Sequence, residues 1–432
     1  MRHTEQRRAA SGCVFRSGAL LGGALLLGVL SGTPPAGAAA RQEREAPGSR
    51  KGIVVGQWAG ERLERASAAY AEDHYDEALT ALDELKANKR LNENEKALMW
   101  QTYGFVYSAR EQWEPAMEAF EQCLAAGGLP EQAELNTRYN LAQLYLMQEQ
   151  YDKAIPMLLA WFEQVDNPSA QAYYALAVAY VQTGDRDKAM RYAKHAVAKS
   201  DAPKEPWLQL LLGFHLEDQN YQEAAALLEQ LVTRFSKKLY WVQLSAVYSA
   251  LEQAPKALAT LEIAYLQNLL TEEGELIHLA QLYFFNGLPY EAAKVLNRGL
   301  ESGVITGDAE SWELLANSWL YAKERDRAIT PLESAAKLSP QGNLYVRLAS
   351  VRLEQEQWTK AVADLNRALR KGQLDDPATA HLLLGIAGAG AKQWDVAAQA
   401  LETAKKYEKT ERAATAWLAR LEHEKAVAGE IQ

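Results

Sequence analysis

Apolar residues recur along this chain at helical spacing, in short runs that come in pairs. Leu141, Leu144 and Tyr145 make one such stripe, on one face of a helix. A few polar residues follow each first run, as in "QTGD" at 182–185, and a second run then opens on an aromatic or charged residue. The second runs share a mark: YDEAL at 75–79, WEPAM at 113–117, YDKAI at 151–155, RDKAM at 186–190 and YQEAA at 221–225. APKAL at 254–258, PYEAA at 289–293, RDRAI at 325–329, WTKAV at 358–362 and WDVAA at 394–398 complete the series. The central alanines (78, 116, 154, 189, 224, 257, 292, 328, 361 and 397) lie 33 to 38 residues apart. A fixed period of this length marks a repeat array, and it predicts about ten helix–turn–helix units over 61–411. The stretch "AATAWLARLEHEKAVA" predicts a closing amphipathic helix within 412–432.

Each alanine is placed where the two helices of a unit cross closely, so a larger side chain there overpacks at a cost of ~1–3 kcal/mol. One hairpin cannot cover its own apolar faces; neighbours stack and bury them. Cys123, seven residues after Ala116, falls on the inner side of a second helix and is expected to be buried and slow to react.

The N-terminus breaks the pattern. Arg7, Arg8 and Arg16 precede an apolar run at 19–30, followed by "SGTPPAGAAA" with Ala-x-Ala sites ending at Ala38 or Ala40. This reads as an export signal over 1–40, followed by a linker over 41–60. The apolar run is shorter than the ~20 residues that span a bilayer, so no membrane span is expected after cleavage. Cys13 would leave with the signal, and Cys123 alone cannot form an internal disulfide. The first 40 residues carry four arginines against Glu5; removing that +3 from the net charge of −10 leaves −13 for the remainder. Such an acidic chain does not suit nucleic acid, whose phosphates need clustered Lys and Arg.

Catalytic and cofactor patterns are weak. "LGIAGAGAKQW" at 384–394 spaces Gly385 and Gly390 like a phosphate loop, but Ala391 intervenes before Lys392 and Gln393 stands where Ser or Thr is required. Gly385 and Gly388 read instead as small packing positions. The seven histidines fall in different units with no H-E-x-x-H, which argues against zinc. His215 occupies a site where other copies have Tyr and is expected to be a packed core residue. The acid pairs 272–273 and 375–376 read as solvated or helix-capping. No cofactor and no enzymatic activity are expected.

Trp100, Gly104, Tyr107, Ala116 and Phe120 of the second copy resemble the tetratricopeptide repeat, W-x₂-L-G-x₂-Y followed by A-x₃-F. Trp312, Leu315, Ala328 and Pro340 carry part of the same pattern in the eighth. The resemblance implies an all-α fold, a right-handed α-solenoid of about ten repeats with a C-terminal capping helix. It also implies a concave face lined by the first helices. The family's concave sites fall on Tyr139, Gln143, Leu146 and Met147 in copy three, and on Tyr174, Val178 and Val181 in copy four. In copies seven and eight they fall on Gln281, Phe284, Phe285, Asn317, Leu320 and Tyr321. These residues are the expected protein-binding groove. It differs from the grooves that hold a chain-terminal carboxylate, because copy eight offers Glu313 and Asn317 where such a clamp needs basic side chains.

The stretches "ALATLEIAYLQNLLTEEGEL" and "LAQLYFFNGLPYEAAKVL" further resemble the long periplasmic tetratricopeptide proteins found with TonB–ExbB–ExbD energy-transduction systems. That resemblance implies a non-enzymatic periplasmic scaffold accessory to TonB-dependent transport, with TonB, ExbB or ExbD as partners. A scaffold for envelope assembly or polysaccharide export is the alternative.

Overall fold

The structure is a computed structural model that describes residues 54–430, with side chains described as far as Lys425. The expected export signal, Cys13 and most of the 41–60 linker lie outside the described residues. The chain divides into two compact units, Met1–Leu227 and Leu228–Gln432.

The first unit holds α1 (Gln57–Ala71), α2 (Tyr75–Ala87), α3 (Glu93–Ala109), α4 (Trp113–Ala126) and α5 (Glu131–Met147). It continues through α6 (Tyr151–Gln164), α7 (Ala170–Gln182), α8 (Arg186–Ala198) and α9 (Glu205–Glu217). Helix α10 (Tyr221–Phe235) contains the division. The second unit holds α11 (Lys238–Ala250), α12 (Ala254–Leu266), α13 (Glu273–Phe285), α14 (Pro289–Glu301), α15 (Ala309–Tyr321) and α16 (Arg325–Leu338). It ends with α17 (Asn343–Glu354), α18 (Trp358–Lys371), α19 (Pro377–Gly390), α20 (Trp394–Ala404) and α21 (Glu411–Glu430). Among the described residues there is no strand. Within each unit the helices pack as successive hairpins, each on the next, which is how an α-solenoid buries its core. Helix α1 begins inside the span read as a linker. Gly56 precedes it and donates its amide to Glu95 Oε1 at 2.8 Å, while Glu95 also completes a capping box with Asn92 at the start of α3.

All ten ladder alanines are fully buried. The turn preceding each one is the same. Five residues before the alanine stand Asp73, Glu111, Glu149, Gly184, Gln219, Glu252, Gly287, Lys323, Glu356 and Lys392, every one with φ between +57° and +80°. The next amide donates to the carbonyl nine residues before the alanine at 2.8–2.9 Å, as from Gln150 to Tyr145 and from Glu324 to Trp319. That bond closes the first helix and reverses the chain. Only Gly184 and Gly287 adopt this backbone without a side chain to strain; the others each carry on the order of 1 kcal/mol.

The residue nine before the alanine also anchors packing between hairpins. It is aromatic at Tyr107, Tyr145, Tyr180, Tyr248, Tyr283 and Trp319. Tyr145 donates to Glu121 and Tyr248 to Glu229, each on the second helix of the preceding hairpin. The residue just before the alanine often covers the ring: Lys153, Lys188 and Lys256 lie 5.1 Å from the ring centres of Tyr145, Tyr180 and Tyr248. Hairpin nine departs from this scheme. Arg352 takes the aromatic place and donates to Asp364 and, at 3.2 Å, to Glu333; Arg367 adds a second bond to Asp364 at 3.1 Å. Asp364 is fully buried, and burial pushes its carboxyl above the usual range against the pull of both guanidiniums.

Candidate functional site

Helix α13 ends in Tyr283, Phe284 and Phe285, and the three part company. Tyr283 turns into the core. Phe284 is half-buried, and Phe285 stands in solvent with 81% of its surface exposed. The next hairpin brings Tyr321, 66% exposed, from the end of α15. The Phe284 ring centre lies 4.9 Å from that of Tyr321 at 77° and 6.1 Å from that of Phe285 at 88°. Phe284 is thus the floor of a notch with two upright aromatic walls.

A cleft of about 420 Å³ opens on this notch, lined also by Gln281, Leu314, Asn317 and Arg347. Arg347, from α17, is the member that position matching in copies three, four, seven and eight did not reach. It donates to Glu313 Oε1 at 3.1 Å and to Asn317 Oδ1 at 2.6 Å, so the two polar sites of copy eight are joined by a cation from copy nine. The Asn317 carbonyl thus has one acceptor site taken, while its amide nitrogen keeps both hydrogens to donate. Arg347 also lines an adjoining cleft of about 280 Å³ with Leu320, Lys323, Arg325, Ser350 and Glu354, where Arg325 pairs with Glu354 at 2.6 Å.

The expected groove residues of the first unit are placed differently. Leu146, Tyr174 and Val178 are buried and cannot line an open surface. The reason lies in α7, which is apolar on every side from Tyr174 to Tyr180 and is covered on every side. Tyr174 is 4% exposed, its ring centre is 5.8 Å from that of Trp207 on α9, and its hydroxyl has no hydrogen-bond partner. Tyr139 packs on Trp161 with ring centres 4.7 Å apart and is only partly exposed, as are Gln143, Met147 and Val181. The structure therefore brings Gln281, Phe284, Phe285, Asn317 and Tyr321 together in the second unit, with Leu320 in the adjoining cleft, and turns the core of the copy-three and copy-four set inward.

The remaining chemistry-bearing residues are packed. His215 is buried, its Nδ1 has no partner, and burial lowers its pKa, with Lys194 adding to the effect. Among the described residues no group of His, Cys, Asp and Glu could hold a metal ion. Gly385 and Gly388 lie inside α19 and face Leu401 and Ala397 of the partner helix α20. No described helix is long and apolar enough to cross a membrane. Cys123 is buried, and desolvation, with the nearby Glu134 carboxylate, pushes its thiol up to about 12. Native protein at neutral pH should accordingly react with a thiol reagent many times more slowly than the same chain in denaturant; equal rates would place Cys123 at the surface.

A family model of the tetratricopeptide repeat matches residues 139–203 and 346–413. No curated protein matches the chain. Among solved structures it is similar to a tetratricopeptide repeat protein from Parabacteroides merdae ATCC 43184, at 15% identity over 66% of this chain and 94% of that one, with a TM-score of 0.35. It is similar to MamA from Desulfovibrio magneticus RS-1, at 19% identity over 42% of this chain and 96% of that one, with the same TM-score. YrrB, described as having an unusual peptide-binding site, shows 17% identity over 39% of this chain and 86% of that one, with a TM-score of 0.33. These structural likenesses carry nothing about ligand or partner. The two segments matched by the tetratricopeptide repeat model fall one in each unit.

Proposed function

We propose that this chain is a non-enzymatic periplasmic scaffold that holds a protein partner in the cleft between α13 and α15, as an accessory to TonB–ExbB–ExbD-dependent transport. The observation that carries the docking role is the pair of exposed rings, Phe285 and Tyr321, on a face that hairpin packing does not use. Exposed aromatic anchors of this kind hold a large share of interface energy, ~2 kcal/mol or more for each hot spot truncated. The transport role is supported by the resemblance of residues 257–276 and 279–296, which include Phe284 and Phe285 of the notch. Export is supported by the basic, apolar and small-residue order of residues 1–40.

The test is the double variant Phe285→Ala/Tyr321→Ala. Its helical content should match the parent, because both side chains are exposed. Its co-purification with ExbB, ExbD or TonB should be lost, and TonB-dependent uptake of an iron chelate should slow. A folded variant that keeps both would overturn the docking site. A deletion strain with normal chelate uptake would overturn the transport role in favour of the envelope-assembly scaffold.

A further inference from the structure

The polar edge of the aromatic notch is one-sided. No carboxylate lines the cleft; its polar members are one guanidinium, two amides and a phenol. Asn317 already accepts from Arg347, so its two amide N–H groups are its larger remaining hydrogen-bonding capacity. The notch thus joins upright aromatic walls to an edge weighted toward hydrogen-bond donors. Few peptide segments match that pairing. An ordinary strand brings an N–H at every residue, and each one buried here needs an acceptor that the lining mostly lacks. A helix brings side chains only. A polyproline II segment brings carbonyl acceptors with few N–H groups, flat pyrrolidine rings that fit between aromatic walls, and little chain entropy left to lose.

The adjoining cleft adds charge. It begins at Arg347 and contains Arg325 and Lys323. Glu313 and Glu354 offset the two arginines, whereas Lys323 is exposed and has no carboxylate partner among the described residues. The formal excess is one positive charge, on a chain that is acidic as a whole.

Resting on the docking reading above, we infer that the occupant is a proline-rich segment in the polyproline II form, with a proline seated between Phe285 and Tyr321 and an acidic side chain one cleft further on, at Lys323. The rings set the proline, the Asn317 amide and the Tyr321 hydroxyl take its carbonyls, and Lys323 sets the direction of the segment.

The experiment is fluorescence anisotropy on the signal-free chain with four labelled peptides of about ten residues, long enough at ~3.1 Å per residue to cross both clefts. The first alternates proline with small residues and ends in two glutamates. The second replaces each proline with alanine, the third replaces the glutamates with lysine, and the fourth is an amphipathic helix former. The first peptide should bind at least about tenfold more tightly than the second or third. Phe285→Ala/Tyr321→Ala should abolish its binding, and Lys323→Glu should invert the preference between the first and third peptides while circular dichroism stays unchanged. Equal binding of the first and second peptides overturns the proline assignment, and equal binding of the first and third overturns the acidic one. Binding of the helical peptide alone, lost in the double variant, overturns the inference and leaves the docking cleft standing. Failure of all four peptides overturns the inference, and if co-purification of the native partner is also unaffected by the double variant, the docking site falls with it.

Discussion

Asp364→Ala is expected to destabilise the second unit by about 3–5 kcal/mol, the usual cost of removing one partner from a buried ion pair. Asp364 is fully buried and accepts from both Arg352 and Arg367. Truncating it leaves Arg352, itself buried, with a single bond to Glu333 at 3.2 Å and an Nε that already lacks a partner. The loss therefore leaves a buried cation with one long ion pair in place of two partners. The double variant Arg352→Tyr/Asp364→Ala should recover most of the stability. It restores the aromatic residue that six other hairpins carry at this place and the alanine found at the place of Asp364 in hairpins one, two and ten, and apolar replacement of a whole buried pair is often neutral or better. Chemical denaturation followed by circular dichroism checks both. An Asp364→Ala loss below about 1 kcal/mol would mean that water reaches the pair.

Gly388→Tyr should cost about 3 kcal/mol or more, although it too inserts the common residue of its position. Overpacking a tight helix crossing is the cause. A Cβ at Gly388 would lie 3.0–3.1 Å from the backbone nitrogen, Cα and Cβ of Ala397, the ladder alanine of its own hairpin. Those atoms belong to a packed helix and cannot swing aside like a side chain. The neighbouring glycines are close to side chains instead: a Cβ at Gly385 would meet the Leu401 side chain at 2.4 Å, and one at Gly390 the Trp358 ring at 2.4 Å. Gly388→Ala separates the two contributions, since it adds the Cβ alone. Native-like stability of Gly388→Tyr would show that α19 and α20 can part to admit a ring.

The alanine period placed ten hairpins because it reports a local steric demand, and such demands are written in residue size; the amphipathic stretch within 412–432 placed the final helix. The period also carried the turns, since one backbone geometry recurs five residues before each alanine; that the residue there is glycine in only two copies hid the left-handed conformation. Cys123 and His215 were placed correctly as buried for the same reason of register. The site was legible only in part. Position within the repeat gave Phe284, Phe285 and Tyr321 but not their exposure, which depends on what the neighbouring hairpins leave uncovered. Position alone likewise listed Leu146, Tyr174 and Val178, where α7 is wrapped on all sides. Arg347 was not legible because its contacts reach back to Glu313 and Asn317 of the preceding hairpin, and the Arg352–Asp364 pair because both residues replace the usual occupants of their repeat positions.

The last helix gives the second unit a finish. Helix α21 buries Ala414 and Leu421, with Trp417 and Leu418 partly covered, against Leu401 and Ala404 of α20, and it turns Glu411, Arg412, Arg420 and Glu422 to solvent. A repeat stack is open-ended by nature: the face that receives one hairpin is the face that offers itself to another. What α21 supplies is a stop to growth. A chain cut before Glu411 would present the apolar flank of α20 to any second molecule with a similar flank, and head-to-head pairing, rising with concentration, is the behaviour that flank would impose.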